Sequence, residues 1–124
     1  MIEVRRGDVV LVAFPLVREG GTLVKRRPAV VIQSDRYNRR RSAVILAAIT
    51  SSQKQQDLLC KVVIACESPV GRQAGLRTDS VIDCQTLITL PRTEIVARLG
   101  SFSGEVLARI DRAIRDALGL PEIA

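Results

Sequence analysis

The chain has 124 residues, enough for one domain, and 47% of them are apolar, enough for one core. It holds no histidine, and its three cysteines, Cys60, Cys66 and Cys84, form no CxxC pair. A Ser-His-Asp triad and a paired-histidine nuclease are therefore excluded, and the ligands for structural zinc are lacking.

In chain order, residues 7–14 ("GDVVLVAF") read as a strand closed by Pro15, and Leu16 to Arg27 as a loop whose flexible point is Gly20-Gly21. Pro28 to Gln33 is an unbroken apolar run of strand length, expected to be buried on both faces. A polar loop, "SDRYNRRRS", leads to a second buried strand, Ala43 to Thr50 ("AVILAAIT"), and then to the polar stretch "SSQKQQD". Leu59 to Ala65 predicts a strand and Gly71 to Thr78 a glycine-bearing loop. Ser80 to Cys84, Thr86 to Leu90 and Ile95 to Leu99 predict three short β segments. From Val106 the apolar residues recur at three and four, through Ile110, Ala113, Ile114 and Ala117, which predicts an amphipathic helix of roughly four turns. Ser103 is placed to cap it, Glu105 suits its first turn, and Gly119 with Pro121 marks its end. The expected fold is mainly β: a small SH3-like barrel, one domain over residues 1–124, with a C-terminal helix on the sheet.

No run of roughly 18 apolar residues and no signal-peptide start are present, so a soluble cytoplasmic protein with no membrane partner is expected. The cysteines read as small buried hydrophobes. The net charge of +6 is uneven: residues 1–62 hold twelve cations against five anions, residues 63–124 seven against eight. The span from Arg18 to Arg41 alone has eight cations and two anions, and sixteen of the nineteen cations are arginine. Concentrated arginine points to a polyanion, because the guanidinium fork suits phosphate.

Two residues stand out chemically. Pro28 confines Arg27 to extended backbone as the chain enters a buried strand, so its guanidinium sits on a rigid platform. Thr50 closes the next buried strand and is followed by Ser51 and Ser52, a cluster of hydroxyls that can donate to a phosphate oxygen. With Phe14, Tyr37 and Phe102 as the only aromatics, a base-stacking platform is excluded. Base contacts would rest on Ser34, Asn38 and the run Arg39, Arg40, Arg41.

"RGDVVLVAFP", "RRPAVVIQSDRYN", "VILAAITSS", "DSVIDCQTLITL" and a helix closing on "LGL" occur in that order. Together they resemble the MazF/PemK family of toxins, from Arg6 to about Leu120. The resemblance implies a dimer that cleaves single-stranded RNA without a cofactor or metal, and an acidic antitoxin partner through which DNA is reached. It also implies that Arg27 and Thr50 are the catalytic pair, with RNA contacts from Lys25, Arg26, Ser34, Asn38, Arg39, Arg40, Ser51 and Gln85. RNA supplies its own nucleophile, the 2′-hydroxyl, so the protein has only to stabilise charge and move protons. Thr22 stands where many relatives have a glutamate, and Ile88 where they have an arginine. The proton acceptor is therefore open: Asp83, Glu19, Asp35 or none of them. Two other readings remain at this point: a non-enzymatic toxin of the same fold that binds a protein such as a topoisomerase, and an RNA-binding module without catalysis.

Overall fold

Unbroken runs of valine, isoleucine and alanine set the centre of the molecule, since such residues pack well only where both sheet faces are covered. The computed structural model describes residues 2–51 and 58–122, with the side chains of 14–18 and 22–23 outside the description. Most of the expected polar stretch after Ser51 lies outside the described residues. Six strands form one antiparallel sheet: β1 (Asp8–Arg18), β2 (Gly21–Val31), β3 (Ala43–Thr50), β4 (Lys61–Ile64), β5 (Ser80–Pro91) and β6 (Ile95–Ser101). Their spatial order is β4-β5-β3-β2-β1-β6. Among the described residues three α-helices, α1 (Asp35–Asn38), α2 (Pro69–Gln73) and α3 (Gly104–Leu118), and a 3-10 turn at Arg92–Glu94 accompany the sheet.

The mainly β reading with a C-terminal helix is what the structure shows, but the sheet is not closed into a barrel. Among the described residues β4 and β6 are its ends, each with one partner. Successive side chains along β1, β2 and β3 alternate between two cores. Val9, Val30, Ala47 and Ile49 face α3, where Val106, Ile110 and Ala113 cover them. Val10, Val12, Ala29, Val31, Val44 and Leu46 face the other way and pack with Leu90 and Ile95. The apolar runs are continuous because both faces are buried.

Three elements differ from the sequence reading. Residues 16–27 are no loop: β1 and β2 pair from Val9↔Val30 up to Arg18↔Gly21. The chain reverses through Glu19 and Gly20, with Gly20 at φ 91°, a conformation glycine adopts without strain. Pro15 is tolerated there because β6 leaves β1 after Val12, so that part of β1 has one open edge. The polar "SDRYNRRRS" contains α1, and the expected glycine loop begins inside α2, whose Pro69 follows the N-cap Ser68. The two segments expected at 80–84 and 86–90 are one strand, β5, with a bulge. Against β3, Ala47 pairs with Leu87 but Ala48 with Asp83, so Cys84 to Thr86 form the excess.

Helix α3 begins and ends as its sequence implies, with one exception. Ser103 occupies the N-cap position but its hydroxyl makes no capping bond. Gly119 ends the helix in the left-handed region at φ 69°, and the Leu120 N–H returns to the Arg115 carbonyl at 2.9 Å. No helix among the described residues is long and apolar enough to cross a membrane.

β6 and the end of α2 meet backbone to backbone. A Cβ at Gly100 would run into the Gln73 carbonyl oxygen and the Ala74 backbone, neither of which can give way. Gly100→Ala is therefore expected to lower the melting temperature by about 5 °C or more. Gly119→Asn, in open space at a left-handed cap, should move it by roughly 2 °C or less. Calorimetry of the two variants checks the contrast.

Candidate active site

Pro28 lacks a backbone donor, and the β2–β3 ladder runs from Ala29↔Ala48 to Val31↔Leu46, stopping at this proline. Two residues beyond its last pair, in line with each other, stand Arg27 on β2 and Thr50 on β3. Strand alternation puts both on the face of Ala29 and Ala48, the face turned away from α3. Arg27 and Thr50 are half-buried at the rim of that core, and Thr50 and Ser51 each have a partner within the fold.

The same face carries a charged pair one strand further on. Asp83 is opposite Ala48 on one side and opposite Lys61 on the other. The Lys61 ammonium lies 3.8 Å from Asp83 Oδ2, their side chains 11% and 18% exposed. The Gln85 N–H donates to Asp83 Oδ1 at 3.0 Å and the Thr86 hydroxyl to Oδ2 at 2.9 Å. Asp83 thus holds the β5 bulge in shape, and the bulge in turn sets its carboxylate beside the row of Arg27 and Thr50. Lys61 was not singled out from the sequence. Its role depends on the β4–β5 register, which "CKVVI" does not reveal.

Other expected contacts lie elsewhere. Lys25 and Arg26 are exposed on β2, and alternation turns Arg26 to the face opposite Arg27. Gln85 is exposed at the bulge. Asn38 ends α1, Ser34 and Arg39 cap it and Arg40 follows, all beyond the far end of β2. The four steps from Arg27 to Val31 alone span about 13 Å. The basic stretch from Arg18 to Arg41 is therefore split between two ends of the sheet within one chain.

Asn38 is a correction. It is 2% exposed, its amide donates to the Gln33 carbonyl at 2.9 Å and to Asp35 Oδ1 at 3.0 Å, and its oxygen accepts from Gln33 Nε2 at 3.0 Å. A side chain so enclosed braces α1 and cannot reach RNA. The Ser34 hydroxyl accepts from the Arg36 N–H as the N-cap of α1.

The carboxylates considered for proton transfer separate cleanly. Glu19 sits in the β1–β2 turn, six or more residues from Arg27 along the hairpin. Asp35 is tied into structure: its Oδ1 accepts the Arg6 N–H at 2.7 Å and the Asn38 amide. Asp83 alone of the three shares the face of Arg27 and Thr50.

The Arg6 N–H, and after it the Asn38 amide, hold the Asp35 carboxyl below its ordinary value of 3.8. A carboxyl lowered on folding adds stability that is present above the unfolded value and lost as pH falls through the folded one. Asp35→Asn should therefore unfold more readily than the parent at pH 6. The gap should shrink below about pH 4. Urea titrations across that range decide it.

Comparison with known proteins places the chain in a family. The model described as PemK-like, MazF-like toxin of type II toxin-antitoxin system matches residues 5–118. Endoribonuclease MazF2 of Mycobacterium bovis and Endoribonuclease MazF6 of Mycobacterium tuberculosis are each 33% identical over 102 residues. Those matches span 82% of this chain and 85% of each relative. Among solved structures, an endoribonuclease from a Mycobacterial species superposes with a TM-score of 0.75 at 19% identity, covering 99% of this chain and 98% of that one. A MazE-MazF crystal structure from Deinococcus radiodurans gives 0.71 at 19% identity, covering 98% and 100%. At such identity the structural likeness speaks for the fold.

Proposed function

The chain belongs to the PemK-like, MazF-like toxin family of type II toxin-antitoxin systems, and on that premise we propose that it is an endoribonuclease toxin cutting single-stranded RNA without a metal ion. The observation that carries the reading is the alignment of Arg27 and Thr50 on one face, just past the end of the β2–β3 ladder, with Asp83 and Lys61 one row away. The relatives named as endoribonucleases favour this over a toxin that only binds a protein, and over a module that binds RNA without cutting it.

The chemistry follows from the residue types. The 2′-oxygen attacks phosphorus, the bond to the 5′-oxygen breaks, and the departing 5′-oxygen takes a proton from solvent, giving a 2′,3′-cyclic phosphate and a 5′-hydroxyl. Arg27, held extended by Pro28, donates two parallel hydrogen bonds to the non-bridging oxygens, where charge grows in the pentacoordinate state. Thr50 donates a further one. Asp83 accepts the 2′ proton, and Lys61 opposite it keeps a compensating charge in place. The absence of histidine supports a mechanism built on electrostatics and substrate-supplied attack. Among the described residues no three His, Cys, Asp or Glu side chains gather to hold a metal.

Partners follow from the same family. We infer a cognate antitoxin, as in the MazE-MazF complexes among the structural neighbours. Its binding segment is acidic and covers the cations around Arg27, and DNA is reached through it. We also infer a homodimer, with Val24 60% and Leu59 79% exposed among the apolar side chains left uncovered by a single copy. Light scattering at micromolar concentration should give twice 13.6 kDa. A monomer would count against the pairing.

Arg27→Ala should cut the cleavage rate by roughly a hundredfold or more while the fold melts near the parent temperature. Arg27→Lys should not restore it, because an ammonium cannot form the planar fork. Lys25→Ala should instead weaken RNA binding and flatten its salt dependence. Assays on a mixed-sequence RNA in EDTA, with end-group analysis, read all three. Cleavage by Arg27→Ala within about threefold of the parent would make Arg27 structural. Activity that needs added magnesium, or 3′-hydroxyl products, would overturn the mechanism.

A further inference from the structure

The site described above uses none of the three thiols. The β4–β5 ladder ends at Lys61↔Asp83, and the next residue outward on each strand is a cysteine. The Cys84 N–H donates to the Cys60 carbonyl at 3.0 Å, which sets the two residues opposite each other. Alternation places both on the face of Val62 and Ile82, toward α3, and they are 3% and 0% exposed. Hydrogen-bonded residues opposed in an antiparallel pair have Cα atoms about 5.5 Å apart, inside the range of about 4.4–6.8 Å that a disulfide spans.

We propose that Cys60 and Cys84 are a paired dithiol that a glutathione-type disulfide converts to an intramolecular disulfide, stapling the edge strand β4 to β5. Both are free cysteines in the structure. The Cys60 thiolate attacks oxidised glutathione, forming a mixed disulfide and releasing one reduced glutathione. Cys84, its proton lost to solvent, then attacks the Cys60 sulfur, and the second glutathione leaves. Two protein thiols are oxidised and one small disulfide is reduced to two thiols.

The fold decides the order of these steps. Cys60 precedes a four-residue strand that has one partner, so local opening of the sheet edge exposes it first. Cys84 lies in the core, where burial, with Asp83 and Cys60 nearby, pushes its thiol up to about 12. Ring closure is therefore slow and is read at equilibrium. Cys66 is a poor competitor. It lies past the other end of β4, six residues or roughly 20 Å of extended chain from Cys60. Its thiol is bonded to Asp79, which raises it above the ordinary value.

The test is equilibration of the purified protein in glutathione buffers of increasing oxidised fraction, followed by acid quench, alkylation and peptide mapping. In the parent and in Cys66→Ser, the product should lose the two thiol hydrogens and yield one cross-linked peptide pair holding Cys60 and Cys84. Cys60→Ala should yield none. The oxidised parent should melt roughly 5–10 °C above the reduced one. A mixed glutathione adduct that never closes, a disulfide through Cys66, or cross-linked dimers alone would overturn the proposal. The readout involves no RNA, so it stands apart from the proposed reaction.

Discussion

Strand β2 is the constraint on which the rest of the molecule depends. Among its last three residues, Ala29 and Val30 are paired on both edges, Val31 pairs with Leu46 and accepts the Gly7 N–H, and all three are covered on both faces with 0% exposure. A segment so enclosed has no room for a charge, since burying an unpaired one costs several kcal/mol or more. Charge can appear only where the enclosure ends, and the sequence marks that point with Pro28. Lys25, Arg26 and Arg27 crowd the strand at the first place they can be solvated. The one nearest the core, Arg27, inherits the rigidity of the enclosed segment.

The opposite end of β2 is secured by different means. The Arg6 N–H donates to Asp35, its Nε donates to the Ile32 carbonyl at 3.0 Å, and its terminal nitrogen meets Asp111 of α3. One side chain thus ties the entry to β1, the exit of β2 and the middle of the C-terminal helix. Arg92 performs a similar task, donating to the carbonyls of Asn38 and Arg41. Arg6 and Arg92 are therefore structural. The charge excess open to a polyanion is smaller than composition suggests, and it is divided between the β1–β2 hairpin and the segment around α1.

What could be read from the sequence follows the range of the interactions involved. β3 was legible to the residue because its burial and its bounding serines are local signals. α3 was legible because its periodicity runs for fifteen residues. The first half of β2 was not: Thr22 to Arg27 ends in three cations and runs into proline, and only pairing with β1 makes it a strand. Nor was α1, whose Asp35 and Asn38 are held by the Arg6 N–H, distant in sequence, and by Gln33 just outside the helix. The Ser68-Pro69 start of α2 was a usable signal, masked by the glycines that follow. At the site, residue type and proline chemistry singled out Arg27 and Thr50. Lys61 escaped, and Asn38 was misplaced, because register and burial decide both.

The β5 bulge shows how a chain without histidine can still place an acid beside the row of Arg27 and Thr50. A regular strand would continue the alternation through Cys84, Gln85 and Thr86 and keep pairing with β3. The extra residues instead let the Gln85 N–H and the Thr86 hydroxyl fold back onto Asp83, fixing both oxygens. Lys61 balances the charge across the seam without adding a bond to the bulge. Strand pairing sets how far Asp83 stands from Thr50, and the bulge sets which way its oxygens point. Neither is visible in a list of titratable residues. A position that looks like one acid among thirteen is thus held by two strands and a bulge, as the proton transfer proposed for it requires.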